Sequence, residues 1–436
     1  MRVFKSRIGV AAMLALGCST GAMAQTDPEA SLRPNAKDAK PPEAAVITAP
    51  ELAEGAVAET GSDAGLRAWI EVFRPRALQA GIREDVFDDA MRNVRYDPEV
   101  IRRDRNQSEF TKTIWDYLET ATSDLRIANG KSALAGQRDT LTRIEEKFGV
   151  EKEIVTAIWG LESAYGTFRG TDHVLSSLAT LAYDARRSAF FEGELLGVLN
   201  ILQDGDTTPE NMTGSWAGAM GHTQFMPSSY LAHAVDFTGD GKRDIWGDDP
   251  TDALASTAAY LKHFGWTAGQ PWGVEVSLPD DFDYMQAGRD ITMLPSAWAE
   301  RGVKPQAGGS IPDHAEASVL LPGGAQGAAF MIFPNFGVIE RYNSADAYVI
   351  GVGHLADRIG GKGPIVADWP RGDRALTYDE RIELQTRLTA LGFDTQKIDA
   401  KVGPLTINAV RAFQKARGLV PDGYASLRLL ERLREG

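Results

Sequence analysis

Ala157-Ile158-Trp159-Gly160-Leu161-Glu162-Ser163-Ala164-Tyr165-Gly166 is the stretch around which the rest of the chain can be organised. Ile154, Ile158, Leu161 and Tyr165 recur at i, i+4, i+7 and i+11, the spacing of an apolar stripe on a helix. Glu162 follows Leu161 directly, four residues after Ile158 and three before Tyr165, so its carboxyl leans toward the core edge. Gly166 marks the expected helix stop. Burial and the negative end of the helix dipole both disfavour a carboxylate there, which predicts a raised pKa. A Glu that keeps its proton near neutral pH is what cleavage of a glycosidic bond needs, because the leaving oxygen must be protonated as the C–O bond breaks. The ordinary alternative is a solvated helical Glu paired with a basic neighbour.

Further segments supply the walls of a cleft. Residues 214–230 read Gly-Ser-Trp-Ala-Gly-Ala-Met-Gly-His-Thr-Gln-Phe-Met-Pro-Ser-Ser-Tyr, combining glycines that permit close backbone approach with an amide, hydroxyls and aromatics. Asn335-Phe336, Arg341-Tyr342-Asn343-Ser344 and Tyr348 add flat faces and amides.

With these residues in view, the chain resembles the B-type lytic murein transglycosylases, lysozyme-like enzymes of the bacterial envelope. The resemblance runs from about Gly65 to Arg358 and is carried by ordered motifs: Asp104-Arg105 with Gln107 and Phe110, then Glu162 with Tyr165-Gly166, then residues 218–229, then Tyr342-Asn343 and Tyr348. It implies that Glu162 is the catalytic acid/base and that Ser215, Gln224, Tyr342, Asn343 and Tyr348 line glycan subsites. The implied reaction is non-hydrolytic cleavage of the β-1,4 bond between N-acetylmuramic acid and N-acetylglucosamine, leaving a 1,6-anhydro sugar. Two rivals stand beside it: a muramidase that uses water, and a non-catalytic wall-binding scaffold.

The length of 436 residues suggests two or three domains. Arg2, Lys5 and Arg7, the apolar run 8–17 and Ala22-Met23-Ala24 have the three-part layout of a secretion signal, and the apolar run is too short to span a membrane. The expected compartment is the periplasm. Cys18, the sole cysteine, leaves a second route open, since cleavage before it would give a lipidated outer-membrane protein; membrane contact is expected only in that case. A formal net charge of −14 argues against nucleic acid and anionic lipid surfaces as partners. The expected partner is the glycan strand of peptidoglycan. Murein is itself acidic, so binding should rest on stacking and hydrogen bonds.

The expected fold class is mainly α (α+β). A signal segment (1–24) and a flexible tether rich in Ala, Pro, Glu and Thr (25–62) lead into a lysozyme-like helical catalytic domain (63–358). Helical patterns cover 66–141, 172–182, 188–203 and 252–264, whereas 274–278, 317–321 and 328–333 read as short strands of a small β-containing subdomain. A Gly- and Pro-containing linker (359–375) precedes a three-helix module (376–436) whose spacing resembles the peptidoglycan-binding type 1 domain, with Ala400 where that family usually has Gly. The bland alternative for this module is a helical cap.

One loop has metal-ligand spacing. Asp236-Phe237-Thr238-Gly239-Asp240-Gly241-Lys242-Arg243-Asp244 places oxygen donors at alternate positions, with the backbone of Lys242 at the seventh and Gly at the sixth. Position twelve is Gly247, so a closing carboxylate must come from Asp248, Asp249 or Asp252. Some members of the resembled family hold calcium in a comparable loop; the alternative is a turn in which Asp side chains bond their own backbone. No cofactor is required by the expected chemistry, and a structural Ca2+ is the one ion considered. His173, His222, His233 and His263 lack metal-protease spacing, and the Gly-rich stretches lack a phosphate-cradle pattern.

Overall fold

The computed structural model describes residues 61–105 and 112–435. The expected signal segment, Cys18, nearly all of the tether, and Gln107 and Phe110 lie outside the described residues. Ser62 opens the first helix, its hydroxyl accepting from the Gly65 N–H at 3.1 Å. The N-terminal half is built of α1 (Asp63–Gln79), α2 (Glu84–Met91), α3 (Pro98–Arg105), α4 (Ile114–Ala121), α5 (Asp124–Gly136), α6 (Arg138–Phe148) and α7 (Lys152–Ser163). It continues through α8 (Val174–Tyr183), α9 (Ser188–Asp204), α10 (Pro227–His233) and α11 (Thr251–His263). Residues 172–173, expected at the start of a helix, instead form strand β1 (Asp172–His173), paired antiparallel with β2 (Thr213–Gly214). No helix among the described residues is long and apolar enough to cross a membrane.

The β subdomain is one antiparallel sheet of β3 (Gly273–Ser277), β4 (Lys304–Pro305), β5 (Ser318–Leu320) and β6 (Ala329–Ile332), in the order β4-β3-β6-β5. Met331 faces Val274 on one side and Val319 on the other. Its core holds Val276, Val319, Met331, Phe333 and Trp298, the last fully buried on α12 (Pro295–Glu300) with its indole N–H on the Ala317 carbonyl at 2.8 Å. The chain then returns to the helical body as α13 (Pro334–Tyr342) and α14 (Asp346–Ile359).

α7 lies at the centre, packed against α14, α5, α6 and α11, and its residues 154–160 are buried on every side. A helix apolar all round is a core helix rather than a surface one. The sequence stripe therefore understates its enclosure. Residues 376–435 form the expected three-helix unit: α15 (Tyr378–Ala390) with a Thr377–Glu380 capping box, α16 (Pro404–Ala416) and α17 (Leu427–Glu435), around Leu384, Leu388, Val410, Phe413 and Leu430. Ala400 adopts φ +60, a left-handed conformation that accounts for a preference for Gly at that position.

Candidate active site

α7 stops at Ser163, three residues before the expected glycine. Ala164, Tyr165 and Gly166 take φ values of 50, 60 and 83, so two residues with side chains enter the left-handed region before glycine does. Each such residue costs about 1 kcal/mol, so the surroundings must enforce the turn. They do so from three sides. The Tyr165 hydroxyl donates to the Arg126 carbonyl at 2.8 Å, and its ring fills a slot left open by Gly160 and Gly130. A Cβ on either glycine would fall 2.5 Å from a Tyr165 atom. Ser163 Oγ accepts from the Gly166 N–H at 2.9 Å and donates to the His222 carbonyl at 2.5 Å, joining the turn to the 218–229 loop. The Trp159 indole donates to His222 Nδ1 at 3.1 Å, which leaves the proton on Nε2 to meet the Gly247 carbonyl at 2.8 Å.

This clamp fixes Glu162. The residue is 7% exposed, and burial raises its pKa to about 8 against the opposing effect of one hydrogen bond, donated by the Tyr348 hydroxyl to Oε1 at 2.5 Å. No neighbouring charge among the described residues contributes to that rise. Tyr117 on α4, Tyr342 at the end of α13 and Tyr348 on α14 all have phenols raised by burial first and by the Glu162 charge second. An acid with one phenolic donor and an apolar surround is neutral at pH 7, yet has a partner once it ionises.

Of the five residues expected to line the cleft, Tyr348 and Tyr342 converge on Glu162. Tyr348 is 1% exposed, so its ring cannot stack on a sugar face; it acts through its hydroxyl on Glu162. Tyr342 donates to the Thr223 carbonyl at 2.6 Å and leans on Phe225 and Tyr260 at 5.8 and 5.1 Å, bringing the 218–229 loop to the acid. Ser215 and Gln224 shape that loop. Ser215 Oγ accepts from the Ala219 N–H at 3.0 Å, and Gln224, at φ 55, donates to the carbonyls of Arg169 and Gly221 at 3.0 and 2.9 Å. Buried Asn343 accepts from the Ala345 N–H at 3.0 Å and turns the chain from α13 into α14. Asp104 is a buried staple, ion-paired with Arg186 and Arg187 at the entry to α9.

Sequence reasoning misses Tyr117, which stands within a helical apolar stripe. Its ring lies over Gly351 of α14, where a Cβ would come within 2.9 Å. His222, one of the histidines without metal-protease spacing, is the pin that joins the Glu162 turn to the 218–229 loop.

In the 236–252 loop, carboxylate oxygens of Asp236, Asp240 and Asp252 lie within 4.8 Å of one another. Of the three acids expected to close the loop, Asp252, at the start of α11, lies beside Asp236 and Asp240, while Asp248 pairs with Arg169 and Asp249 bonds Thr251. Three convergent hard oxygens suit a calcium-like cation. The same Asp groups also serve the loop's own backbone: Asp236 accepts from the N–H groups of Gly239 and Gly241, and Asp252 from those of Phe237, Thr238 and Asp244. Thr238 donates to Asp236 at 3.2 Å, and the Lys242 N–H donates to Asp240. The pKa of Asp252 is raised chiefly by burial and, among lesser causes, by the charge of Asp236.

A family model for the transglycosylase SLT domain matches residues 65–357, and one for a putative peptidoglycan binding domain matches 377–433. The chain is 36% identical over 240 residues to membrane-bound lytic murein transglycosylase B of Escherichia coli (strain K12), covering 53% of this chain and 63% of that one. It thus spans less than two thirds of the length of that relative. The crystal structure of SltB3 from Pseudomonas aeruginosa in complex with NAG-anhNAM-pentapeptide superposes with a TM-score of 0.82 at 47% identity, covering 85% of this chain and 99% of that one. An Escherichia coli lytic transglycosylase in complex with calcium gives 0.58 at 30% identity, covering 69% and 94%. With its acid on a buried helix end, its phenols around that acid and a helical module behind, this chain belongs to the transglycosylase SLT domain family.

Proposed function

We propose that the chain is a lytic transglycosylase that cleaves the β-1,4 bond between N-acetylmuramic acid and N-acetylglucosamine in peptidoglycan and leaves 1,6-anhydromuramic acid ends. The observation that carries this reading is Glu162: a single enclosed carboxyl, neutral at pH 7, with one hydroxyl on it. Its proton passes to the departing O4 as the C1–O4 bond breaks. The carboxylate so formed is held by the Tyr348 hydroxyl and takes the proton of the muramoyl C6 hydroxyl as that oxygen bonds to C1. One carboxyl serves both steps in turn, in contrast to glycosidases that use a pair. Positive charge on the ring is met by the substrate's own acetamido group. Solvent is kept from C1 by the same packing that raises the pKa of Glu162.

Gln224, with buried Ser215 and Asn343 fixing the backbone behind it, is read as the polar wall of the cleft. Tyr342 forms part of the wall beside the acid. The relatives' complexes with glycopeptide and with calcium support glycan strands as the substrate and a Ca2+ ion at Asp236, Asp240 and Asp252, with Thr238 and Lys242 in the same loop. That ion stabilises the loop and takes no part in bond cleavage. The site of action is the cell envelope, with delivery to the periplasm by residues 1–24, and the 376–436 module holds the enzyme on the wall.

Purified sacculi digested with the protein give the test. Products lighter by one water than hydrolytic muropeptides support the reading, and products of full hydrolytic mass overturn it in favour of a muramidase. Glu162→Gln should abolish release while sacculus binding persists; cleavage by that variant would remove Glu162 from its assigned role.

A further inference from the structure

Most of the stretch expected as a linker (359–375) follows the end of α14 at Ile359 and forms a strap fastened across the catalytic body. Ile365, Ala367 and Trp369 turn inward onto the main core while Val366 and Asp368 face out, the alternation of an extended segment. The N–H groups of Val366 and Ala367 both donate to the Glu275 carboxylate on β3, at 3.0 and 2.7 Å. Trp369 is wedged between two parts of the catalytic domain. On one side is the turn after β5, where a Cβ on Gly323 would lie 3.1 Å from the indole; on the other is Trp115 of α4, with ring centroids 6.1 Å apart. Arg371 then pairs with Glu119, one turn of α4 further on.

α4 is only eight residues long, and its opposite face carries Tyr117. Residues two apart on a helix point in nearly opposite directions, so Trp115 meets the strap while Tyr117 lies over Gly351, where a Cβ would also come within 3.7 Å of Leu161, the residue before Glu162. A helix this short has little stability of its own and depends on what packs against it.

We infer that Trp369 is a positioning residue for catalysis: by bracing Trp115 it holds α4, and through α4 it holds Tyr117 in the packing around Glu162. The strap thus ties the C-terminal module to the active site as well as to the polypeptide. This rests on the proposed glycan-cleaving role of Glu162. Without the brace α4 loosens, water reaches the carboxyl, and its proton affinity falls toward that of an ordinary Glu.

The test is a double-mutant cycle in the full-length chain, read as anhydro-product release from sacculi across pH. Trp369→Ala should lower kcat about tenfold with little change in KM, and less than about twofold when Tyr117 is already Ala. It should also move the alkaline limb of the pH–rate profile to lower pH, with Trp369→Phe restoring most of both. Equal kcat for wild type and Trp369→Ala, or fully additive losses in the cycle, would overturn the inference. Should Trp369→Ala fail to fold, Trp369→Leu takes its place in the cycle with Tyr117→Ala, since it keeps much of the volume and removes the flat brace on Trp115. Wild type yielding no anhydro product at all would instead count against the reading of Glu162, which separates the two failures.

Discussion

Enclosing Glu162 serves the proposed reaction and costs stability at alkaline pH. The buried carboxyl keeps its proton up to about pH 8, whereas in the unfolded chain it releases that proton near 4.5, the ordinary value for a Glu. Between those values the folded form binds more protons than the unfolded one, so stability falls as pH rises through the interval and the full loss is reached above about 8. At about 1.4 kcal/mol for each pH unit of that interval, the cost of enclosing this group at alkaline pH is on the order of a few kcal/mol. Glu162→Gln keeps the shape and removes the ionisation. The variant is expected to melt several degrees above wild type at pH 8.5 and within about a degree of it at pH 5, by calorimetry in matched buffers. Activity should decline over the same alkaline range, because only the protonated acid starts the reaction. An advantage for Glu162→Gln that is as large at pH 5 as at pH 8.5 would contradict burial as the cause of the raised pKa.

At the scale of elements, the turn after α7 and the 236–252 loop are both built against local preference. Gly160 sits inside a helix, where Ala would normally be favoured by about 1 kcal/mol. Here the Cβ would enter the Tyr165 ring, and such overpacking costs roughly 1–3 kcal/mol, so Gly160→Ala should lower the melting temperature and reduce turnover by displacing the left-handed turn that aims Glu162. For the loop, carboxylate oxygens of Asp236, Asp240 and Asp252 lie within 4.8 Å of one another, and the proposed cation would offset the repulsion among them. Saturating calcium is expected to raise the melting midpoint over that in chelator, and Asp240→Asn to erase the difference; an unchanged midpoint would reject the ion. These two elements also show how far the sequence can be read. Period 3.6 along residues 154–165 discloses a helix and a leaning Glu. It does not disclose the early stop at Ser163, because Ala164 and Tyr165 carry no local signal for positive φ: that conformation comes from Gly130, Arg126 and His222, all distant in sequence. Tyr117 escapes for a related reason, since a phenol in an apolar stripe looks like core until its neighbour across the helix pair is known. The alternating carboxylates of the loop are legible in the sequence, whereas which of Asp248, Asp249 and Asp252 lies beside them is set by the start of α11.

Across the whole molecule, charge is divided unevenly. The chain carries −14 in all, yet residues 376–436 hold ten Lys and Arg against eight Asp and Glu, so the acidity belongs to the catalytic part. A strongly acidic body approaching an acidic polymer is repelled over a distance set by ionic strength, about 30 Å at 10 mM salt and about 8 Å at 150 mM. Contacts that hold it there must be short-range, with at most a small electrostatic gain from the slightly basic module. Added salt therefore screens more repulsion than attraction. Binding of the Glu162→Gln protein to sacculi, measured by co-sedimentation, should hold steady or strengthen between about 20 and 200 mM salt, whereas a protein held by many cation–anion contacts would lose binding by orders of magnitude over a similar range. Removing residues 376–436 takes away the one part of slight positive charge and should weaken binding at every salt concentration without reversing its slope. A steep loss of binding with salt would mean that charge attraction, from a patch the overall balance conceals, is what brings the enzyme to the wall.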